Sequence, residues 1–397
     1  MRSSSGVILN FSALFLGIWL IFIADGLLVS STAVVLKAHS WLATGLITAC
    51  MFAGALFCAL FAPKFIARFG FVRSYALFSA LFALCVLGHI FSDSLFVWGV
   101  LRVGVGFCYY SIVLVAESWL NARAISSFRS RILSFYEIVF YVGFGVGTAI
   151  MGLNLEIFWL FLITTICIIL GQIPLNLTSL RSPPLPKQAP KALPRVFDLA
   201  PLALFTSICA GLLMNGFFTM ASAYAISAGK TPAQASIFII CGMLGGCLAH
   251  TICGSLSDKL GRKFAILVFD LLAIAASVML LFEAFFYLSA VILGAGICVL
   301  YSLALARAND VVKDKSECVN VSRTLLFSYL IGSSLSPVFI GGGLALFGSV
   351  GYGIFCLLVS VALFVFALFQ RSVLPAQREK FEHQNGVSIV FKKEGEC

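Results

Sequence analysis

Long apolar runs separated by short polar stretches fill the chain from end to end. A membrane-spanning helix takes about 20 predominantly apolar residues. Twelve runs approach that length, at roughly 7–30, 41–62, 73–92, 94–117, 131–153, 155–177, 198–226, 232–253, 264–282, 285–306, 319–346 and 349–370. Between the sixth and seventh, Thr178 to Phe197 carries Pro183, Pro184, Pro186, Pro190 and Pro194 together with four cations. Such a segment cannot be helical throughout and reads as an extended linker. The pattern predicts an all-α membrane protein of twelve transmembrane helices. It divides into a six-helix bundle over 1–177, a proline-rich basic linker over 178–197, a second six-helix bundle over 198–370, and a polar tail over 371–397.

The polar positions between the runs set an orientation. Alternate loops and the two ends hold 22 Lys and Arg on one side and only Lys37 and Lys230 on the other. Because cytoplasmic loops are enriched in Lys and Arg, both termini are expected in the cytoplasm. Arg2 precedes an apolar run, but that run extends to about Ser30 and contains Asp25. It is too long for the apolar core of a signal peptide and reads as an uncleaved first helix.

Composition changes this picture only by exclusion. With 61% hydrophobic and 11% charged residues the chain lies far from the soluble range, where about a quarter of residues are charged. The net charge of +10 sits in short loops and forms no stripe interleaved with aromatics, so no nucleic-acid partner is expected. Thirteen cysteines occur without a C-x-x-C pair, which fits small buried apolar residues rather than a metal site or disulfide framework. No cofactor or metal is implied, and the expected partners are the lipid bilayer and a small-molecule substrate, with the protein monomeric. An intramembrane enzyme would need a nucleophile or metal constellation. Neither H-E-x-x-H nor G-x-S-x-G is present, and there are four His in all. A non-transporting receptor or sensor is the other rival, against which stand short loops and a short tail.

An internal repeat refines the architecture. Ser130-Arg131-Ile132-Leu133-Ser134-Phe135 recurs as Ser322-Arg323-Thr324-Leu325-Leu326-Phe327, an offset of 192. Tyr110 recurs as Tyr301, Cys50 as Cys241 and Gly70 as Gly261, each at 191. Matches from different helices at nearly one offset indicate two halves related by a parallel repeat, with the substrate path between them. The same alignment pairs Glu137 with Tyr329.

Charges inside the runs are costly and face the bundle interior or water. They are Asp25, Arg102, Glu137 and Asp270, with Glu117 closing the fourth run. Counted along their helices, Asp25 lies about 8 Å and Arg102 about 12 Å below the outer face, depths compatible with an ion pair. The alternative is that Asp25 reaches external water and Arg102 bonds helix carbonyls. Glu137 is either a proton carrier or the partner of Arg129 or Arg131. Asp270 is expected to support the loop that follows the eighth run. Tyr109, Tyr110, Asn215, Tyr224, Tyr301 and Tyr329 are further polar groups that either touch substrate or pack. His250 is expected as a buried partner.

The stretch Gly254-Ser255-Leu256-Ser257-Asp258-Lys259-Leu260-Gly261-Arg262-Lys263 joins the eighth and ninth runs. It resembles the signature loop of the major facilitator superfamily, Gly-x-Leu-x-Asp-(Arg/Lys)-x-Gly-Arg-(Arg/Lys), with every fixed position filled. Glycines at both ends would give a tight turn its freedom. The first-half counterpart, Pro63 to Arg73, keeps Arg68 and Gly70 but has Pro63 for the first Gly and Ala67 for the Asp. Leu101-Arg102-Val103-Gly104-Val105-Gly106 resembles the family's helix-4 motif, in which the arginine is associated with proton coupling, with Val105 replacing the family's polar residue. Gly106 would admit a neighbouring helix. Gly143 to Thr148 resembles the helix-5 antiporter motif without its proline, which weakens drug/proton antiport. Glu117-Ser118-Trp119-Leu120-Asn121 looks like the same segment in a bacterial branch of the family with poorly assigned substrates.

The resemblance implies a secondary transporter of the bacterial inner membrane whose two bundles rock about a central site. A proton on Asp25 or Glu137 would bias the equilibrium. Asp258 would latch the outward-open state against the start of the fifth helix near Ser130 and Arg131. Glu117 would hold Arg68 or Arg129 in a gate. Substrate and direction are left open.

Overall fold

The computed structural model describes residues 12–123, 129–177, 200–311 and 318–372. Among them are twelve long helical segments: α1 (Ser12–Val35), α2 (Trp41–Phe69), α3 (Phe71–Gly88), α4 (Leu95–Arg123), α5 (Arg129–Met151), α6 (Ile157–Asn176), α7 (Pro201–Ser227), α8 (Pro232–Leu260), α9 (Arg262–Met279), α10 (Phe286–Ile297 and Leu300–Val311), α11 (Cys318–Phe347) and α12 (Val350–Phe369). Ten are long and apolar enough to cross a bilayer. In α5 the apolar part is the shorter Phe135–Met151, and α9 carries Arg262, Lys263 and Asp270 within its 18 residues. The expected linker, 178–197, and the tail beyond residue 372 lie outside the described residues.

Local chemistry starts and stops these helices. Ser40 accepts from the Ala43 amide at 3.2 Å to open α2. Thr231 and Gln234 form a reciprocal capping box at α8, with Pro232 in the first turn. Two corrections concern the signature stretch. Gly254 lies within α8, which continues to Leu260, so the ten residues are not a loop. The whole reversal into α9 is made at Gly261, whose φ of 95° suits glycine, and Gly70 makes the same turn between α2 and α3 with φ 81°. A bond network then fixes the turn. Arg262 Nη1 bonds Ser257 Oγ at 2.5 Å and Asp258 at 2.6 Å, and Arg262 Nε bonds Asp310 on α10 at 3.2 Å. Lys263 donates to the Leu368 and Gln370 carbonyls that end α12, at 2.9 and 2.7 Å, as a cation near a helix C-terminus does.

The two halves repeat each other in helix packing. A Cβ on Gly26 of α1 would overlap the Phe144 carbonyl of α5, and one on Gly211 of α7 would overlap the Tyr329 carbonyl of α11. Gly147 abuts Ile23 and Leu27, and Gly332 abuts Ile208 and Leu212. Ser30 and Thr148 share a hydrogen bond of 3.0 Å; Asn215 donates to Ser333 at 2.5 Å. Every one of these pairs is related by 185 residues, Gly26 to Gly211 and Thr148 to Ser333 alike.

The offset of 192 read from Ser130 and Ser322 is therefore seven too large for these helices. Seven residues are two helical turns, so the same side chains recur on the same face about 10.5 Å along the axis. In the packed register Tyr329 answers Phe144, and Glu137 answers Ser322. For α2 and α8 the offset of 191 stands: Gly54 meets Val103, and Gly245 meets Val291. Gly106 packs on Met51 as Gly294 packs on Gly242, which relates α4 to α10 by 188 residues over this crossing. The close approach at Gly106 is the one its small size predicted.

Contacts between the halves cluster away from the signature turn. Near the start of α2, Gly45 lies against Pro337 and Gly341 of α11, and Gly341 against Trp41. Gly152, just past α5, lies against Ser236 of α8. Midway along, Phe140 and Phe144 of α5 meet the Phe218 ring of α7 edge-on at 5.9 and 5.1 Å.

Candidate functional site

Two groups of charged side chains occupy the first half, at different levels. The deeper one is built on α1 and α4. Asp25 is 4% and Arg102 1% exposed, so both charges have left water. They attract one another through space, but no ion-pair contact joins them. Instead the Arg102 guanidinium donates to Thr32 Oγ1 at 2.6 Å, and Arg102 Nε and Asp25 Oδ1 are left without hydrogen-bond partners. The direct pair anticipated from depth is thus replaced by a looser arrangement completed by Thr32, a residue the sequence reading did not select. Tyr109 stands beside Asp25 and meets Tyr110 edge-on at 5.1 Å.

An aromatic cluster centred on His89 lies within electrostatic reach of Arg102. His89 bonds the Cys85 carbonyl through Nδ1 at 2.8 Å, stacks on Phe161 and meets Trp98 edge-on. Trp98 is fixed in turn by donating to the Ser92 carbonyl at 2.7 Å.

The second group lies nearer the basic end. Glu117 on α4 and Glu137 on α5 face each other electrostatically, with the Tyr136 hydroxyl beside Glu117. Glu137 is exposed although Tyr141, Cys247 of α8 and Tyr329 of α11 are within its electrostatic reach. Glu137 is therefore within electrostatic reach of residues from both halves. Tyr301 of α10 lies within reach of Glu117 and packs on Tyr329, with ring centroids 4.8 Å apart. The gate expected between Glu117 and Arg68 is absent: Arg68 sits over the Phe69 ring at 5.5 Å, and Glu117 looks inward because α4 turns that face toward Tyr136. The side chains of Arg129, Ser130 and Arg131 lie outside the described residues, and with them the expected seat of Asp258, the alternative Glu117–Arg129 gate and the expected Arg129 or Arg131 partner of Glu137. Asp258 pairs with Arg262, with two-thirds of its side chain exposed.

Other candidates take structural places. Asn215 lies in a wider π-helical turn of α7, Gly211–Asn215, and its amide is committed to Ser333. The Tyr224 hydroxyl donates to the Leu280 carbonyl at 3.2 Å while its ring stacks on Tyr352 and Phe286, so Tyr224 belongs to an aromatic cluster inside the second half. His250 is exposed rather than buried, with its ring 6.5 Å from that of Tyr141. Asp270 is not a support for the signature turn. It is wholly buried, neither carboxylate oxygen has a hydrogen-bond partner, and Ser360 of α12 lies beside it. Among the described residues no group of His, Cys, Asp and Glu could hold a metal ion.

Known proteins with this architecture transport solutes. The "Uncharacterized MFS-type transporter YcaD" of Salmonella arizonae is 28% identical over 298 residues, covering 74% of this chain and 78% of its own. Among solved structures, the nucleoside transporter NupG superposes with a TM-score of 0.71 at 14% identity, covering 91% of this chain and all of its own. A bacterial homologue of the human lysosomal transporter Spinster, inward-facing and unoccupied, gives 0.66 at 17% identity with 98% of both chains covered. A D-xylose-proton symporter gives 0.67 at 15% identity, covering 90% of this chain and 98% of its own. The profile of the Major Facilitator Superfamily matches residues 14–320; the chain belongs to that family, and its two six-helix bundles are those of a secondary transporter.

Proposed function

We propose that this transporter is proton-coupled and that Asp25 carries the proton. The observation behind this reading is a carboxylate buried midway along α1, attracted to Arg102 but not bonded to it, with one oxygen unsatisfied. Neutralising Asp25 by a proton removes the attraction for Arg102, and restoring the charge restores it. A group whose charge alters a contact between α1 and α4 biases which face of the site is open. The coupling of the D-xylose-proton symporter, similar in fold, supports this reading by analogy.

The solute passes between bundles 1–177 and 198–370, joined by the linker at 178–197, in a protein that acts as a monomer. The 22-to-2 asymmetry of Lys and Arg supports cytoplasmic termini and a bacterial inner-membrane location. In that orientation the signature turn, with Gly254, Asp258, Lys259, Gly261, Arg262 and Lys263, faces the cytoplasm together with Arg68, Gly70 and Arg131, where it governs opening.

The test is reconstitution into proteoliposomes with an internal pH dye, challenged with pooled amino acids, sugars, nucleosides and organic cations. A pool that acidifies the lumen on entry identifies symport, and one that alkalinises it identifies antiport. Transport of a labelled pool with no proton movement would remove the coupling and leave a uniporter.

A further inference from the structure

We infer that Thr32 and Asp25 are alternating seats for the Arg102 guanidinium, with Thr32 as the positioning residue that holds it while Asp25 carries a proton. This inference rests on the coupling reading above and names the part of the protein that answers the proton. Asp25 and Thr32 are seven residues apart on α1, two turns along one face. The Thr32 hydroxyl donates to the Leu28 carbonyl at 2.8 Å, so its proton is committed and its oxygen accepts from Arg102 Nη2 at 2.6 Å. The side chain leans back along α1, as helical side chains do, and so toward Asp25.

The atoms left over by this bond point to the second seat. Seated on the hydroxyl, Arg102 leaves its own Nε without a partner, and Asp25 Oδ1 is unpartnered as well. Both side chains are buried, and leaving a buried donor and a buried acceptor unmade is costly. A carboxylate binds a guanidinium more strongly than a hydroxyl does, through two parallel bonds where geometry allows. A charged Asp25 would therefore draw Arg102 off Thr32 and satisfy both orphaned atoms, whereas a protonated Asp25 has no such hold. The surroundings supply no competing ion. Tyr109 and Tyr110 of α4 face Asp25, and Cys50 of α2 and His89 face Arg102. From α5 come the rings of Phe135, Tyr136 and Phe140 against Phe15 and Phe22 of α1, and α6 and α7 carry no charged residue. Thr32 thus keeps a buried cation hydrogen-bonded while its counter-charge is neutralised, and movement of the guanidinium between the seats changes how α4 grips α1.

The test is an infrared pH titration of the protein reconstituted in lipid, following the protonated-carboxyl band that Asp25→Asn removes. Thr32→Val, close to threonine in shape but without the hydroxyl, denies Arg102 its first seat and leaves it to Asp25. The pH at which the Asp25 band is half lost is expected to fall by about one unit, as a closer opposite charge requires. Thr32→Ala is expected to do the same, and Thr32→Ser, which restores the hydroxyl, to keep the wild-type midpoint. Thermal unfolding of each variant would establish that it folds. An unshifted or raised midpoint in a folded Thr32→Val or Thr32→Ala would overturn the inference. So would a shift as large in Thr32→Ser, which would trace the effect to packing, or the lack of an Asp25 band at every pH. Coupling is read separately with the internal pH dye. A lowered midpoint in a protein that moves no protons with any solute would retain the two seats and refute the coupling; solute-driven proton movement with an unshifted midpoint would do the reverse.

Discussion

The two halves share helix packing and differ in charge. The packed register places Ala210 where α1 has Asp25 and Ala290 where α4 has Arg102, both alanines fully buried. Glu137 has Ser322 as its counterpart. The second half in turn buries Asp270 in α9, where the counterpart in α3 is Ser79; Ser79 Oγ, like both Asp270 oxygens, lacks a hydrogen-bond partner. Helix crossings are set by small residues that recur in both halves, whereas the buried charged groups Asp25, Arg102 and Asp270 each occur in one half only. Symmetry therefore describes the scaffold that rocks, and the departures from it mark where coupling resides. Asp25 and Arg102 have each other, whereas the groups near Asp270 among the described residues, the Ser360 hydroxyl and the Cys209 thiol, bring no positive charge.

The largest effect should come from forcing the halves to match in charge. Ala210→Asp puts a carboxylate into a wholly buried position with no arginine opposite, and an uncompensated buried charge costs several kcal/mol. Loss of monodisperse folded protein in size-exclusion chromatography is the expected result; a stable, wild-type-like protein would show that the second half tolerates charge as the first does. Next comes the shared scaffold. Gly147→Val and Gly332→Val each thrust side-chain atoms into the backbone of the helix opposite. Overpacking costs about 1–3 kcal/mol or more, so both should lower the thermal midpoint, and to a similar extent if the register is right. The smallest effect is expected from Asp270→Asn. Replacing a carboxyl group by an isosteric amide at a site with no cation should leave stability within about 1 kcal/mol of wild type or raise it, as read from thermal unfolding in detergent.

Much of this was legible in the chain. Twelve apolar runs became twelve helices, and Asp25, Arg102 and Gly106 sit in the bundle interior as their depth and size required. The repeat was visible, but its register in α5 and α11 was not. A shift of two helical turns preserves the face on which Ser, Arg and Phe recur, and only the crossings at Gly26 and Gly211 separate the alternatives. Asp270 was legible in principle. It falls in the stripe Ile266, Phe269, Asp270, Ala273, Ser277, spaced by three and four residues, which α9 buries. Tyr136 and Thr32 carried no local signal, since their roles depend on Glu117 and Arg102 arriving from α4. The signature stretch was identified by residue order, yet one glycine makes the turn because helix α8 accommodates Asp258 and Lys259 in its last turn.

The contrast between the halves reduces to one experiment: solute-driven proton movement in proteoliposomes made with Asp25→Asn and with Asp270→Asn at equal protein density. With Asp25 as the carrier, the first variant is silent to the pH dye while still binding solute, and the second moves protons at the wild-type rate. Proton movement by Asp25→Asn, or silence of a folded Asp270→Asn, would contradict the account and transfer coupling out of the first half.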